Sequence, residues 1–191
     1  MNTKKWSTNH LAQSALFAAL TAILSQISIP IGPVPVNFAH MATFLAAGLL
    51  GVRYGVLSQL IFVLMGAVGI PVFSGFMGGL SRIAGPTGGY IVAYILCAFI
   101  TGLIIERFGK SMKVLIGAMY AGWAVVYLFG TLWYSFITQT EFFAALAVCV
   151  VPFLIGDALK TVLSAFLIKR LSPLLQRKDA HNPQAFVPPQ K

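Results

Sequence analysis

The sequence predicts an all-α membrane protein with six transmembrane helices and both termini in the cytoplasm, and three observations carry that prediction. The first is composition: of 191 residues 58% are hydrophobic and 9% charged, against about 25% charged in a soluble domain. Four acidic residues in the whole chain cannot furnish a water-facing surface. The second is punctuation, since charge-free stretches run from Trp6 to Val52, Tyr54 to Ser81, Ile83 to Ile105 and Val114 to Thr140. The third is the placement of the basic residues between them, which accounts for a net charge of +9 without a basic face on a soluble body. Nucleic acid is therefore not an expected partner, whereas a lipid bilayer is.

A spanning helix needs about 20 mainly apolar residues, because backbone groups in hydrocarbon must bond within their own segment. The first such segment runs from Leu11 to Ser28 and ends at the run Ile29-Pro-Ile-Gly-Pro-Val-Pro-Val36, whose prolines remove helix donors. A second helix is expected from Phe38 to Leu50, a third from Gly55 to Val68. A glycine-rich stretch reaches to Gly89, and the fourth helix follows from Tyr90 to Ile105. The fifth covers Val114 to Ile137. The sixth begins near Phe142 and continues to Ile168, interrupted by Pro152 and by the charges of Asp157 and Lys160.

Orientation follows from the excess of Lys and Arg in cytoplasmic loops. With the N-terminus inside, Lys4, Lys5, Arg53, Arg107, Lys110, Lys113, Lys169, Arg170, Arg177, Lys178 and Lys191 are cytoplasmic, 11 of 13 basic residues. Arg82 alone lies outside, and Lys160 is intramembrane. The expected division is a membrane domain over residues 1–170 and a disordered cytoplasmic tail over 171–191. The first helix is not read as a cleaved signal, because its apolar character continues to Ile29 without a polar cleavage region.

Nothing in the sequence resembles a hydrolytic or redox centre. His10, His40 and His181 stand apart from cysteines and carboxylates, so neither metal nor cofactor is expected. Phe108-Gly-Lys-Ser111 ends like a phosphate-binding loop, yet Ile104 stands where that motif requires glycine. Phe73-Ser74-Gly75 lacks the preceding glycine of a serine elbow. Cys97 and Cys149 read as small buried hydrophobes.

Three features do carry function. Asp157 and Lys160 lie at i and i+3 in an apolar helix, where each charge costs about 2.5 to 3.5 kcal/mol to insert. Either they neutralise each other in the bundle or they form the polar floor of a small-ligand site, Asp157 accepting N–H groups and Lys160 donating to an oxygen. The stretch Gly69 to Gly89 holds seven glycines in 21 residues together with Phe73, Phe76, Met77 and Ile83. A flexible linker would be polar; this one is expected to fold inward with the Pro30, Pro33 and Pro35 loop as a lid, Asn37 and Tyr90 at its inner edges. On helix one, Ala12, Ala15, Ala18 or Ala19, Ala22 and Ser25 recur every three or four residues, a small face for close helix approach either within the chain or to another subunit.

Four segments in order carry a resemblance: Ser25-Gln-Ile-Ser-Ile-Pro-Ile-Gly-Pro-Val-Pro-Val36, Leu64-Met-Gly-Ala-Val-Gly-Ile-Pro-Val-Phe73, Gly85-Pro-Thr-Gly-Gly-Tyr90 and Gly156-Asp-Ala-Leu-Lys160. Together they resemble the substrate-binding (S) components of biotin transporters, the BioY family within the energy-coupling factor (ECF) class. The resemblance implies a plasma-membrane protein, not an enzyme, that captures biotin from outside. It also implies a transmembrane coupling subunit and two ATPase subunits as partners, docked on the face of Ala15 and Ala19. The resemblance points to Asp157 and Lys160 as ligand contacts, and biotin's chemistry and the loop reading add Tyr90, Asn37, Phe73, Thr87, Gly88 and Arg82 as candidates, with Lys160 open between the ureido carbonyl and the carboxylate, and Arg82 the weaker carboxylate candidate. One departure stands out: after the proline loop the chain reads Asn37-Phe-Ala-His40 where the family pattern is Thr-x-Gln-Thr. Two rival readings are an S component for another small vitamin and a stand-alone ion-coupled carrier using Asp157 as its protonatable group.

Overall fold

The computed structural model describes residues 8–29 and 34–180, apart from the side chains of Val36 and of residues 175–180. The expectations at Lys4, Lys5, Pro30, Pro33 and His181, and those on the tail from Asn182 onward, lie outside the described residues. The elements in order are α1 (Thr8–Gln26), β1 (Ser28–Ile29), β2 (Val36–Asn37), α2 (Ala39–Ala67), α3 (Leu80–Ala84), α4 (Gly88–Phe108), α5 (Met112–Thr138), α6 (Phe142–Cys149) and α7 (Leu154–Ala180), with a 3-10 turn at Val151–Phe153. This is an all-α membrane protein: the segments Gly88–Phe108, Met112–Thr138 and Phe142–Leu174, and Ala39–Ala67 counted end to end, are long and apolar enough by length and composition to cross a bilayer.

The segment Ala39–Ala67 is not one rod, and the two helices expected there are both present. Gly51 lies at φ 82° and ψ −178°, a backbone region closed in practice to residues with a Cβ. Beyond it the chain folds back on itself. Thr43 Oγ1 stands 3.1 Å from Gln59 Oε1, 16 residues away, whereas unbroken helix would separate them by about 24 Å. The legs 39–50 and 52–67 are therefore an antiparallel hairpin. Glu106 at the end of α4 closes its turn by accepting the Val52 N–H at 2.7 Å, a negative group at the start of the second leg where the helix dipole favours one.

Helix α4 is central, packed against α2 on one side and α5 on the other, while α1 packs on α2 and α7 against α2 and α5. One core gathers Phe44, Cys97, Leu115, Met119, Trp123 and Ile168; a second gathers Phe62, Val72, Phe73 and Tyr94. Leu16, Leu64, Phe136, Phe143, Ile155 and Phe166 are exposed around the outside, as helices that are apolar on both faces present themselves to lipid.

On α1 the small-residue ladder divides. Ser14, Ala18, Thr21 and Ser25 face inward, and Ser14 Oγ bonds the Tyr54 carbonyl at 3.1 Å. Ala15 and Ala19 face outward. The proline-rich run is enclosed by a two-stranded antiparallel pair, Ser28 opposite Asn37 and Ile29 opposite Val36, strand pairing that the proline count concealed. The apparent phosphate loop is a helix stop and restart, Gly109 at φ 87° ending α4 and Ser111 Oγ accepting the Val114 N–H at 3.4 Å to cap α5.

The sixth expected helix breaks at Pro152 as anticipated, but Asp157 and Lys160 lie within the first turns of α7 and do not interrupt it. The helix then runs on through Pro173 to Ala180. The first ten residues of the expected tail, 171–180, are thus helical, since Leu, Gln, Arg, Lys and Ala are good helix formers that can extend an existing helix.

Candidate functional site

The lid is built by side chains at the end of α1. Gln26 Nε2 donates to the carbonyls of Val72 at 3.1 Å and Phe73 at 3.2 Å, its Oε1 accepts the Phe76 N–H at 2.9 Å, and Ser25 Oγ also donates to the Val72 carbonyl. These bonds hold a tight turn in which Phe73 and Met77 exchange backbone hydrogen bonds of 2.9 and 3.2 Å. Asn37 ties that turn to the proline loop and to α4: its Nδ2 donates to Ser74 Oγ at 2.8 Å, and its Oδ1 accepts from Tyr94 OH at 3.2 Å and from the Ala39 N–H at 3.1 Å.

Beneath lies a cavity of about 520 Å³, within the roughly 300 to 1,000 Å³ of small-molecule sites. Its floor is on α7. Lys160 Nζ donates to Asp157 Oδ1 at 2.8 Å, Tyr127 OH donates to Asp157 Oδ2 at 2.6 Å, and both charged residues are only 5% exposed. Lys160 Nζ also stands 5.5 Å from the centre of the Phe38 ring, a position in which the ring quadrupole stabilises a cation. Asp157 is thus neutralised and bonded on each oxygen, but every carboxylate oxygen has a second lone pair to offer a ligand N–H.

An aromatic column crosses the cavity from α4 to that floor. Tyr94 and Trp123 both lie against the His40 ring with centroids at 4.3 Å, and Tyr127 stacks on Trp123 at 5.3 Å. Trp123 is itself held, its Nε1 donating to Thr161 Oγ1 at 3.0 Å. The column offers flat apolar faces with polar ends, which suits a fused ring carrying polar edges.

Of the sequence-predicted ligand residues, Asp157, Lys160, Tyr90, Asn37, Phe73, Thr87 and Arg82 line this one cavity. Tyr90 OH bonds Thr131 Oγ1 at 2.9 Å, and its ring lies flat on Gly130, where any side chain would overlap it. Phe73 meets Phe62 edge to face at 5.6 Å. Asn37 borders the cavity, but its amide is occupied in joining the two loops. Gly88 is buried beneath the Ile83 carbonyl and is not part of the lining; its small size lets α3 pack on the start of α4. Sequence reasoning missed His40, Tyr94, Trp123, Tyr127 and Phe153, all of which line the cavity. The pairs Tyr90/Tyr94 and Trp123/Tyr127, each at i and i+4 and so on one helix face, were the signal available.

Comparisons with known proteins find relatives over most of the chain. The model of the BioY family matches residues 1–177. The biotin transporter BioY of Thermotoga maritima is 38% identical over 164 residues, covering 86% of this chain and 96% of that one. The probable biotin transporter BioY of Pyrococcus horikoshii is 41% identical over 157 residues, covering 82% and 92%. A crystal structure of the S-component for biotin from an ECF-type ABC transporter superposes with a TM-score of 0.80 at 31% identity, covering 87% of this chain and 94% of its own. With the family model matched over residues 1–177 and the fold shared with that structure, this protein belongs to the BioY family.

Proposed function

We propose that this chain is the biotin-binding S component of an ECF-type uptake transporter, a multi-pass plasma-membrane protein that captures the vitamin for ATP-driven import by a transmembrane coupling subunit and two ATPase subunits. It is a transport protein and not an enzyme. The observation that carries the reading is the buried Asp157–Lys160 pair at the base of a cavity of about 520 Å³ walled by aromatic rings. Biotin presents a ureido group with two N–H donors and a carbonyl, an apolar bicycle and a chain ending in a carboxylate. In this proposal Asp157 accepts an N–H, Lys160 donates to a ligand oxygen, Tyr90 and Phe73 wall the bicycle, and Thr87 and Arg82 serve the mouth.

The topology we propose has six crossings: α1, the legs 39–50 and 52–67, α4, α5, and α6 continued by α7. Both termini are then cytoplasmic, which the distribution of Lys and Arg favours. The membrane domain is residues 1–170, and 171–191 is a cytoplasmic extension that starts as the end of α7. The outward pair Ala15 and Ala19 is the docking face for the coupling subunit, a role favoured by their exposure on a helix whose inward face is already packed.

The test is calorimetric titration of biotin into the purified chain in detergent, with thiamine and riboflavin as controls. Selective biotin binding supports the reading, and preference for either control vitamin, or no binding by folded protein, overturns it.

A further inference from the structure

We propose that His40 is a specificity-determining contact for the ligand, its Nε2 hydrogen-bonding a polar group bound above the Asp157–Lys160 pair; this deepens the biotin reading and rests on it. His40 borders the cavity at 8% exposure, and its Nε2 is buried with no hydrogen-bond partner among the described residues. A neutral imidazole offers one donor and one acceptor nitrogen and a charged one offers two donors, so Nε2 needs a partner in every state. Buried polar atoms in native proteins are almost always matched, and an unmatched one calls for an explanation.

The protein around His40 does not supply the match. Tyr94 and Trp123 lie against the ring, and both are fixed by their own hydrogen bonds to Asn37 and Thr161. Tyr127 and Lys160 both donate to Asp157, and neither bonds Nε2. The ring is therefore held in place by neighbours that bond other groups and leave Nε2 unmatched, and the cavity is the adjoining space that can bring a partner. A site with an otherwise unmatched polar atom discriminates strongly against a ligand that cannot bond it.

Two substitutions separate the hydrogen bond from the stacking. His40→Phe keeps a ring for Tyr94 and Trp123 but has no nitrogen; His40→Gln keeps a polar group without the ring. The proposal expects the biotin Kd of His40→Phe to rise at least about tenfold and that of His40→Gln to stay within about threefold of the unmodified chain. Ligand-free thermal melting checks that each variant is folded, and His40→Leu replaces His40→Phe under the same criteria if the latter cannot be extracted. His40→Phe binding within about threefold of the unmodified chain, or His40→Gln binding as weakly as His40→Phe, overturns the proposal. Failure of the unmodified chain to bind biotin overturns the functional reading itself, a result distinct from either.

Discussion

Replacing Asp157 by Asn changes almost no volume and removes one charge, so its effects can be worked from the floor of the cavity. Tyr127 can still donate to the amide oxygen at the position where it now meets Oδ2 at 2.6 Å. Lys160, 5% exposed, loses its counter-ion, and breaking a buried ion pair from one side costs about 3 to 5 kcal/mol. The ligand loses a charge-assisted hydrogen bond, which contributes about 1.5 to 3 kcal/mol. At about 1.4 kcal/mol per factor of ten, biotin affinity should fall roughly 10- to 150-fold. Calorimetry in detergent reads the affinity and thermal melting the stability. Adding Lys160→Met should restore part of the melting temperature without restoring binding, because it removes the orphaned charge but returns no acceptor to the ligand. Asp157→Asn protein that binds biotin within about threefold of the unmodified chain would remove Asp157 from the site.

Other expectations follow from the same geometry. Ala15→Leu with Ala19→Leu should leave biotin binding intact and abolish co-purification of the coupling and ATPase subunits; normal assembly would refute that face as the interface. Gly51→Ala should destabilise the chain by about 1 to 3 kcal/mol, seen as a lower melting temperature, because alanine is strained at that backbone conformation and its Cβ would crowd the Glu106 carboxylate. Gln26→Ala should raise the dissociation rate of biotin more than it lowers the association rate, since it frees the turn around Phe73 without touching the floor. Stopped-flow measurement of both rates checks this.

The membrane class was legible in the sequence because lipid imposes its demand on every residue of a span, so composition and spacing report it locally. The α2 hairpin was legible for the same reason at Arg53, whose charge marked a junction, although Gly51 supplies the actual reversal. The Asp157–Lys160 pair stood out because a charge in hydrocarbon demands a reason. His40 did not. Its neighbours come from α4 and α5, and the sequence placed it near no cysteine or carboxylate, so it read as isolated. The departure from Thr-x-Gln-Thr at positions 37 to 40 pointed to that stretch without revealing the ring stack. Asn37 borders the cavity, but only tertiary contacts reveal that its amide bonds Ser74 and Tyr94. The helical continuation to Ala180 was obscured by Pro173, which argues locally for an end that the rest of the helix overrides.

Helix α1 joins two things that the chain otherwise keeps apart. Ala15 and Ala19 lie along its middle, and Gln26, seven residues beyond Ala19, is its last residue and holds the turn over the cavity. A straight helix is a stiff rod, and those seven residues make an arm of about 10 Å. Tipping the rod by about 20° around Ala19 would carry Gln26 through about 4 Å, more than the length of any bond it makes to the turn. Force applied at the alanine pair must therefore either unfasten the latch or pull it along, and opening the cavity requires no message to pass through the cavity itself. Where a partner grips this helix would decide when the vitamin leaves.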